Sequence, residues 1–329
     1  VEFPDFHNRE EELSKLSGAL RTTGGRELWL VVSPPLMGKT WLLAKLEKEL
    51  VNATPPWAVH RMDLRRAPED LRYEPARLVT TLLQTDDLAQ DELREEDLHN
   101  IALTVSARRA PLLFVLDGAE LLDRSCAVEA RAALTAIHRI VRDTDRHERF
   151  GLIIATRRPD EWRGVGMNAR KGQRFESLYL TQFDDEVVYQ ALPADINTDR
   201  RWAHAQGLQR LSEGLPALLA RCVQWAARNE FLEVADPGDA EAFDEVARDY
   251  IRKDLLSADI LLTMGTTNRR QALAALRGTL RAISIYRLYT QSHLTFHLDA
   301  DETLREALNT AGLSAEDLWR ALAEVVPGQ

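Results

Sequence analysis

The stretch "VVSPPLMGKTWLL", Val31–Leu43, decides the fold. An apolar run breaks at Ser33, turns through two prolines, and reopens at Gly38-Lys39-Thr40 into residues with helical spacing. A strand that ends in such a turn and leads into a helix gathers several backbone N–H groups around one point, and the helix N-terminus adds partial positive charge there. That point suits a phosphate. Set against the pattern G-x-x-x-x-G-K-[ST], Gly38 lets the backbone approach an anion, Lys39 reaches toward β and γ oxygens, and Thr40 offers a hydroxyl to Mg²⁺. The loop departs from the pattern at Ser33, a small replacement for the first glycine. It departs again at Leu36, where the related form G-P-P-G-x-G-K-T has glycine. A positive φ at Leu36 would cost about 1 kcal/mol or more. Ser33, Pro34, Pro35, Leu36, Met37, Gly38, Lys39 and Thr40 are the expected nucleotide-binding loop. The alternative is an ordinary strand-to-helix turn with a surface Lys-Thr pair.

Outward from this loop, "LWLVVS" (28–33), "PLLFVLD" (111–117) and "FGLIIAT" (150–156) are nearly continuous apolar runs, as expected for parallel strands covered on both faces. "WAVHRMDL" (57–64) alternates more and is expected to be another strand of the same sheet. Helical patterns fall between them, including a stripe at Ala133, Leu134, Ile137, Ile140 and Val141. Alternating strands and helices predict right-handed βαβ units and a doubly wound α/β domain. After about Gln182 only helical patterns are evident. "EVADPGDAE" (233–241) is a turn-rich acidic linker, and the chain closes with helix, turn at Ala311-Gly312-Leu313-Ser314, helix.

Three further segments bring chemistry to the edge of the sheet where the loop lies. Asp117 ends its strand at the crevice where doubly wound sheets bind ligands, and is the candidate partner of Mg²⁺ through water, with Thr40 as the other metal-site residue. A strand-end aspartate capping a turn is the other reading. Glu120 follows in the same loop and could polarise an attacking water. Gly118 stands directly after Asp117, where fast motor ATPases place a glutamate, so any hydrolysis is expected to be slow. Thr156 and Arg157 leave the next strand at the same edge, where a hydroxyl and a guanidinium could answer a γ-phosphate. Asp117, Glu120 and Arg157 are thus the candidate catalytic residues.

The bulk properties narrow the partners. At 329 residues with 45% hydrophobic content, the chain is long enough for two or three cores. A net charge of −10 gives no general field to draw in nucleic acid or an anionic membrane. Two cysteines, Cys126 and Cys222, far apart in sequence, suit reduced thiols in a cytoplasmic protein. No apolar run approaches the roughly 20 residues needed to span a bilayer, and the acidic start does not read as a signal peptide. Beginning at Val1, the chain is expected to be trimmed from a longer one.

Together these residues resemble the STAND class of P-loop NTPases, relatives of the AAA+ and origin-recognition ATPases. "FHNREEELSKL" (6–16) is similar to the F-x-x-R-x-x-E-L-x-x-L segment that precedes the phosphate loop in that family, and the likeness implies that Phe6, His7, Asn8 and Arg9 line the adenine side. "VLDGAE" resembles its magnesium-site strand and "IIATRRP" its strand ending in Thr-Arg. "SEGLPALLARC" (212–222) resembles its G-x-P motif, which implies that Pro216 sits near the nucleotide. These motifs run in order from about Phe6 to Cys222. The resemblance implies an α/β P-loop NTPase with a parallel sheet flanked by helices, then a helical lid and a winged-helix-like or all-helical C-terminal domain. The expected limits are 1–185, 186–236 and 237–329. In some relatives a winged-helix histidine contacts the diphosphate; His293 and His297 are expected instead to be structural.

The implied activity is an ATP/ADP-binding signalling switch. Nucleotide state would control lid position and self-association or engagement of a protein effector, with slow ATP hydrolysis assisted by Mg²⁺. A pseudo-ATPase scaffold is the alternative. A DNA-handling ATPase is less expected, because Glu316 and Asp317 stand at the start of the helix that would meet the phosphates.

Overall fold

A computed structural model describes residues 9–22, 28–34, 37–85, 93–108, 110–143, 150–163, 175–192, 198–228 and 302–319, with single positions at Val246, Ala272, Ala275, Leu294 and Leu298. It divides into two compact units, Val1–Ser33 with Met37–Ala205, and Pro34–Leu36 with Gln206–Gln329. Within the first unit, Trp202 lies against Tyr189 with ring centroids 5.2 Å apart and the rings tilted, and Arg201 donates to the Leu192 carbonyl at 2.7 Å.

The first unit is a five-stranded parallel sheet. Its strands are β1 (Leu28–Val32), β2 (Ala58–Asp63), β3 (Leu112–Asp117), β4 (Phe150–Thr156) and β5 (Glu176–Tyr179), in spatial order β2-β3-β4-β1-β5. β1, β3 and β4 are buried at every position, which is why they read as unbroken apolar runs. β5 is the strand the sequence patterns did not reveal: four residues on the sheet edge, with only Leu178 buried. Register aligns the strand ends: Val32 lies opposite Thr156, and Asp117 opposite Asp63.

One face is covered by α3 (Pro75–Leu83), α4 (Glu95–Ser106) and α5 (Arg124–Asp143). Their apolar stripes join Leu30, Phe114, Leu116 and Ile154 in a single buried cluster. α1 (Glu10–Arg21) and α2 (Lys39–Val51) pack on each other, and Lys15 of α1 lies over the Trp29 ring of β1 at 5.8 Å, on the strand positions that alternate with Leu28 and Leu30. Helices on both faces follow from the alternation of strand and helix. α6 (Asp160–Arg163) and α7 (Asp185–Ala191) complete the sheet unit.

α8 (Thr198–Ser212) runs across the division between the units, and α9 (Pro216–Arg228) follows it. The turn between them uses left-handed backbone at Glu213 (φ 50°) and Gly214 (φ 68°), and the Ser212 hydroxyl accepts from the Gly214 N–H at 3.2 Å. α10 (Glu302–Ala311) ends at Gly312, φ 67°, and residues 315–319 are again helical. There Asp317 accepts from the Ser314 N–H at 2.9 Å while its own N–H donates to the Ser314 hydroxyl at 3.1 Å. Asp317 is therefore one half of a capping box. The expected linker 233–241, and His293 and His297, lie outside the described residues. Among the described residues no helix is long and apolar enough to cross a membrane.

Candidate phosphate site

The loop after β1 delivers the N-terminus of α2. Gly38 is its N-cap at φ 87° and has no side chain with which to cap it, and the first turn contains no acidic residue. Left-handed backbone at this position suits glycine, and a side chain there would cost about 1 kcal/mol. The positive φ thus falls at Gly38. Pro35 and Leu36, where a strained leucine was a concern, lie outside the described residues. Orphan N–H groups at the start of a helix and its dipole make this an anion site.

Lys39 is the first residue of α2 and is 8% exposed. Its ammonium folds back onto the strand end, donating to the Ser33 carbonyl at 2.6 Å and to the Ser33 hydroxyl at 3.0 Å. Burial lowers the Lys39 ammonium from its ordinary 10.5 to about 8; Glu120 and Asp117 pull it up, while Arg157 and Arg65 push it down. A cation held so far from water is poised for an anion, and the nearby charges show what surrounds it. Met37 is buried beside the loop, and its carbonyl accepts from Arg9 at 3.3 Å.

β3 and β1 are separated by β4, which puts their ends roughly 9.5 Å apart at the usual strand spacing. Asp117, 1% exposed, is held by two arginines of the β2 end: Arg61 at 2.7 Å and Arg65 at 3.0 Å, both on one carboxylate oxygen. Arg65 also donates to the Thr40 hydroxyl at 2.9 Å. Asp63 anchors it, accepting from its Nε at 2.7 Å and its backbone N–H at 3.1 Å. Arg65 thus contacts both Thr40 and Asp117, and its guanidinium lies between these two candidate metal-site residues. Arg61 and Arg65 carry no motif. The only trace in the sequence is the cluster of charge in "RMDLRR" at the end of a strand.

Gly118 takes φ 81°, which lets the chain leave β3 in a tight turn and places Glu120 in the short helix Ala119–Leu121. A glutamate at 118 would be strained in that conformation. Glu120, 6% exposed, pairs with Arg157 at 3.0 Å. The carboxylate expected to polarise water and the guanidinium expected to meet a phosphate therefore hold each other. The Thr156 hydroxyl, wholly buried, accepts from the Arg158 N–H at 3.0 Å.

Arg9, 4% exposed, donates to the Thr181 carbonyl at 2.6 Å, pairs with Glu12 at 2.6 Å, and lies 4.6 Å from the Phe183 ring centroid. It fastens the start of α1 to the loop at Met37 and to the segment after β5. Phe6, His7 and Asn8 lie outside the described residues. Pro216 is the first residue of α9, in the second unit.

The residues around the loop suit a phosphate: a helix N-terminus, a left-handed glycine and a buried ammonium come together there. A magnesium ion does not fit this arrangement, because Arg65 takes both the hydroxyl and the carboxylate that would bind it. Among the described residues no group of three or more His, Cys, Asp or Glu could hold a metal. An open cleft of about 540 Å³ lies alongside Thr40, lined by Arg61, Met62, Asp63, Arg66 and Ala67.

No protein-family model matches the chain, and no curated protein sequence matches it. Among solved structures it is similar to the Orc1 protein of Aeropyrum pernix in complex with DNA, at 15% identity over 96% of this chain and 92% of that one, with a TM-score of 0.48. It is similar to Cdc6p from Pyrobaculum aerophilum at 15% identity over 98% and 86% of the two chains, TM-score 0.47. It is also similar to a Walker-type ATPase of Pyrococcus abyssi at 17% identity over 92% and 89%, TM-score 0.44. Likeness at this level carries no statement about what this chain binds.

Proposed function

We propose that the chain is a nucleotide-binding switch of the STAND type that takes ADP or ATP at the loop between β1 and α2. One observation supports this above the rest: Lys39, buried and depressed in pKa, sits on the first turn of a helix that opens at a left-handed glycine. Such a cluster is costly in the absence of an anion and is relieved by one. Backbone N–H groups of the loop and Lys39 would hold the phosphates. Pro216 and a winged-helix-like C-terminal region would read the nucleotide's state. ADP would favour the closed arrangement and ATP the open one that self-associates or engages a protein effector.

Hydrolysis in this reading is slow. Glu120 is held by Arg157 and Asp117 by two arginines, so neither carboxylate is placed to take a proton from water until those pairs rearrange. The second reading is a pseudo-ATPase scaffold, whose altered loop binds no nucleotide and whose helices present a protein surface.

A population change of about 100:1 needs the two nucleotides to differ by about 3 kcal/mol in their preference for the two arrangements. Titration calorimetry with ADP and with ATP, alongside light scattering for mass, tests the proposal. Tighter binding of ADP than ATP, with larger assemblies in ATP, is the expected outcome. Equal affinities with unchanged mass would remove the switch, and no binding of either would leave the scaffold.

A further inference from the structure

We propose that Arg65 is the resident cation of the phosphate site: it stands in for a divalent metal between Thr40 and Asp117, so that the chain binds a nucleoside diphosphate without one. The inference rests on the nucleotide reading above and adds how the charge of the ligand is met.

The geometry is specific. Arg65 Nη2 reaches the Thr40 hydroxyl at 2.9 Å and the Asp117 carboxylate at 3.0 Å, the same two groups that a magnesium ion would take from this loop and this strand. Magnesium needs oxygen ligands at about 2.0–2.1 Å in near-octahedral order. Both oxygens here are already accepting from N–H donors, and Asp117 Oδ2 accepts a second bond, from Arg61 at 2.7 Å. A guanidinium cannot be deprotonated to make way.

Nor is Arg65 a passing surface residue. Its Nε and its backbone N–H both donate to Asp63 Oδ1, at 2.7 and 3.1 Å. Asp63 is fixed opposite Asp117 by the β2–β3 register. The stem of Arg65 passes over Gly118: a Cβ built there would lie 3.8 Å from Arg65 Cγ. Strand register and the double anchor on Asp63 therefore aim this fork at one point.

The charge balance agrees. Lys39, Arg61, Arg65 and Arg157 face Asp63, Asp117 and Glu120, so the site holds more cationic groups than carboxylates before any ligand arrives. A polyphosphate supplies the missing negative charge. Arg65 is 26% exposed, which leaves it reachable by a ligand oxygen at the mouth of the site.

The test uses the whole chain and two probes, ADP and ATP, titrated in parallel in magnesium and in EDTA. Dissociation constants that agree within about threefold between the two conditions are expected. Tightening of tenfold or more by magnesium overturns the inference while leaving nucleotide binding intact. Absence of binding in both conditions overturns the nucleotide reading itself. Arg65→Ala supplies the second arm: nucleotide affinity in EDTA should fall tenfold or more, and magnesium should now restore part of it, because Thr40 and Asp117 lose the donor between them. An Arg65→Ala protein as tight in EDTA as the parent overturns the proposal.

Discussion

Replacing Lys39 by methionine should make the ligand-free protein more stable and the nucleotide-saturated protein less stable than the parent. The lowering of Lys39 from 10.5 to about 8 means that keeping it protonated at pH 7 costs the folded state about 3 kcal/mol. Methionine removes that cost but takes a donor from the Ser33 carbonyl and hydroxyl, a loss of about 1–3 kcal/mol. The balance is a gain of about 1 kcal/mol for Lys39→Met without ligand. With ADP at one hundred times its Kd, the parent gains about 2.7 kcal/mol and the variant none, so the order of stabilities inverts. Urea denaturation with and without ADP reads both quantities. pH supplies a control. The folded pKa lies below the unfolded one, so between about 8 and 10.5 the unfolded chain holds the extra proton and this contribution to stability rises with pH. The advantage of the variant should therefore shrink from pH 7 to pH 10. A ligand-free Lys39→Met protein less stable than the parent by more than 1 kcal/mol, with ADP changing neither, would refute the assignment of this ammonium to an anion site.

The Glu120–Arg157 pair is largely buried, so Glu120→Ala should cost about 3 kcal/mol by removing the carboxylate that pairs with Arg157, and adding Arg157→Ala should return part of that loss in a double-mutant cycle. Burial raises both thiols, Cys126 and Cys222, to about 12, so neither should react with a thiol reagent at pH 8 in the folded protein, and both should react in urea; mass spectrometry counts the adducts. Arg9→Ala should lower stability by about 2–4 kcal/mol through loss of two backbone carbonyl contacts, the Glu12 pair and the Phe183 ring, and lysine should not rescue it in thermal melts, since one ammonium cannot span that fork.

The parts of this chain that were legible in its sequence are those whose physics is local. β1, β3 and β4 are buried on both faces, so each announces itself as a continuous apolar run, and the turn at Gly38-Lys39-Thr40 carries its geometry in three adjacent residues. Asp117 and Arg157 could be placed at one edge of the sheet because each directly ends or follows a strand. β5 was not legible, because a four-residue edge strand needs only one buried side chain and gives no period to detect. The arginines of β2 were not legible for a different reason. Whether Arg61 and Arg65 meet Asp117 or solvent depends on the register between β2 and β3, and a shift of one residue would send Asp63 to the other face of the sheet. That register is set by packing between strands nearly fifty residues apart in the chain. The same limit explains Glu120 and Arg157: each follows a strand end in the sequence, yet the sequence could not tell that the two would pair with each other. Local pattern places the cradle for phosphate, while long-range pairing decides which charges stand around it, and in this chain those charges are more often arginine than the motif alone implies.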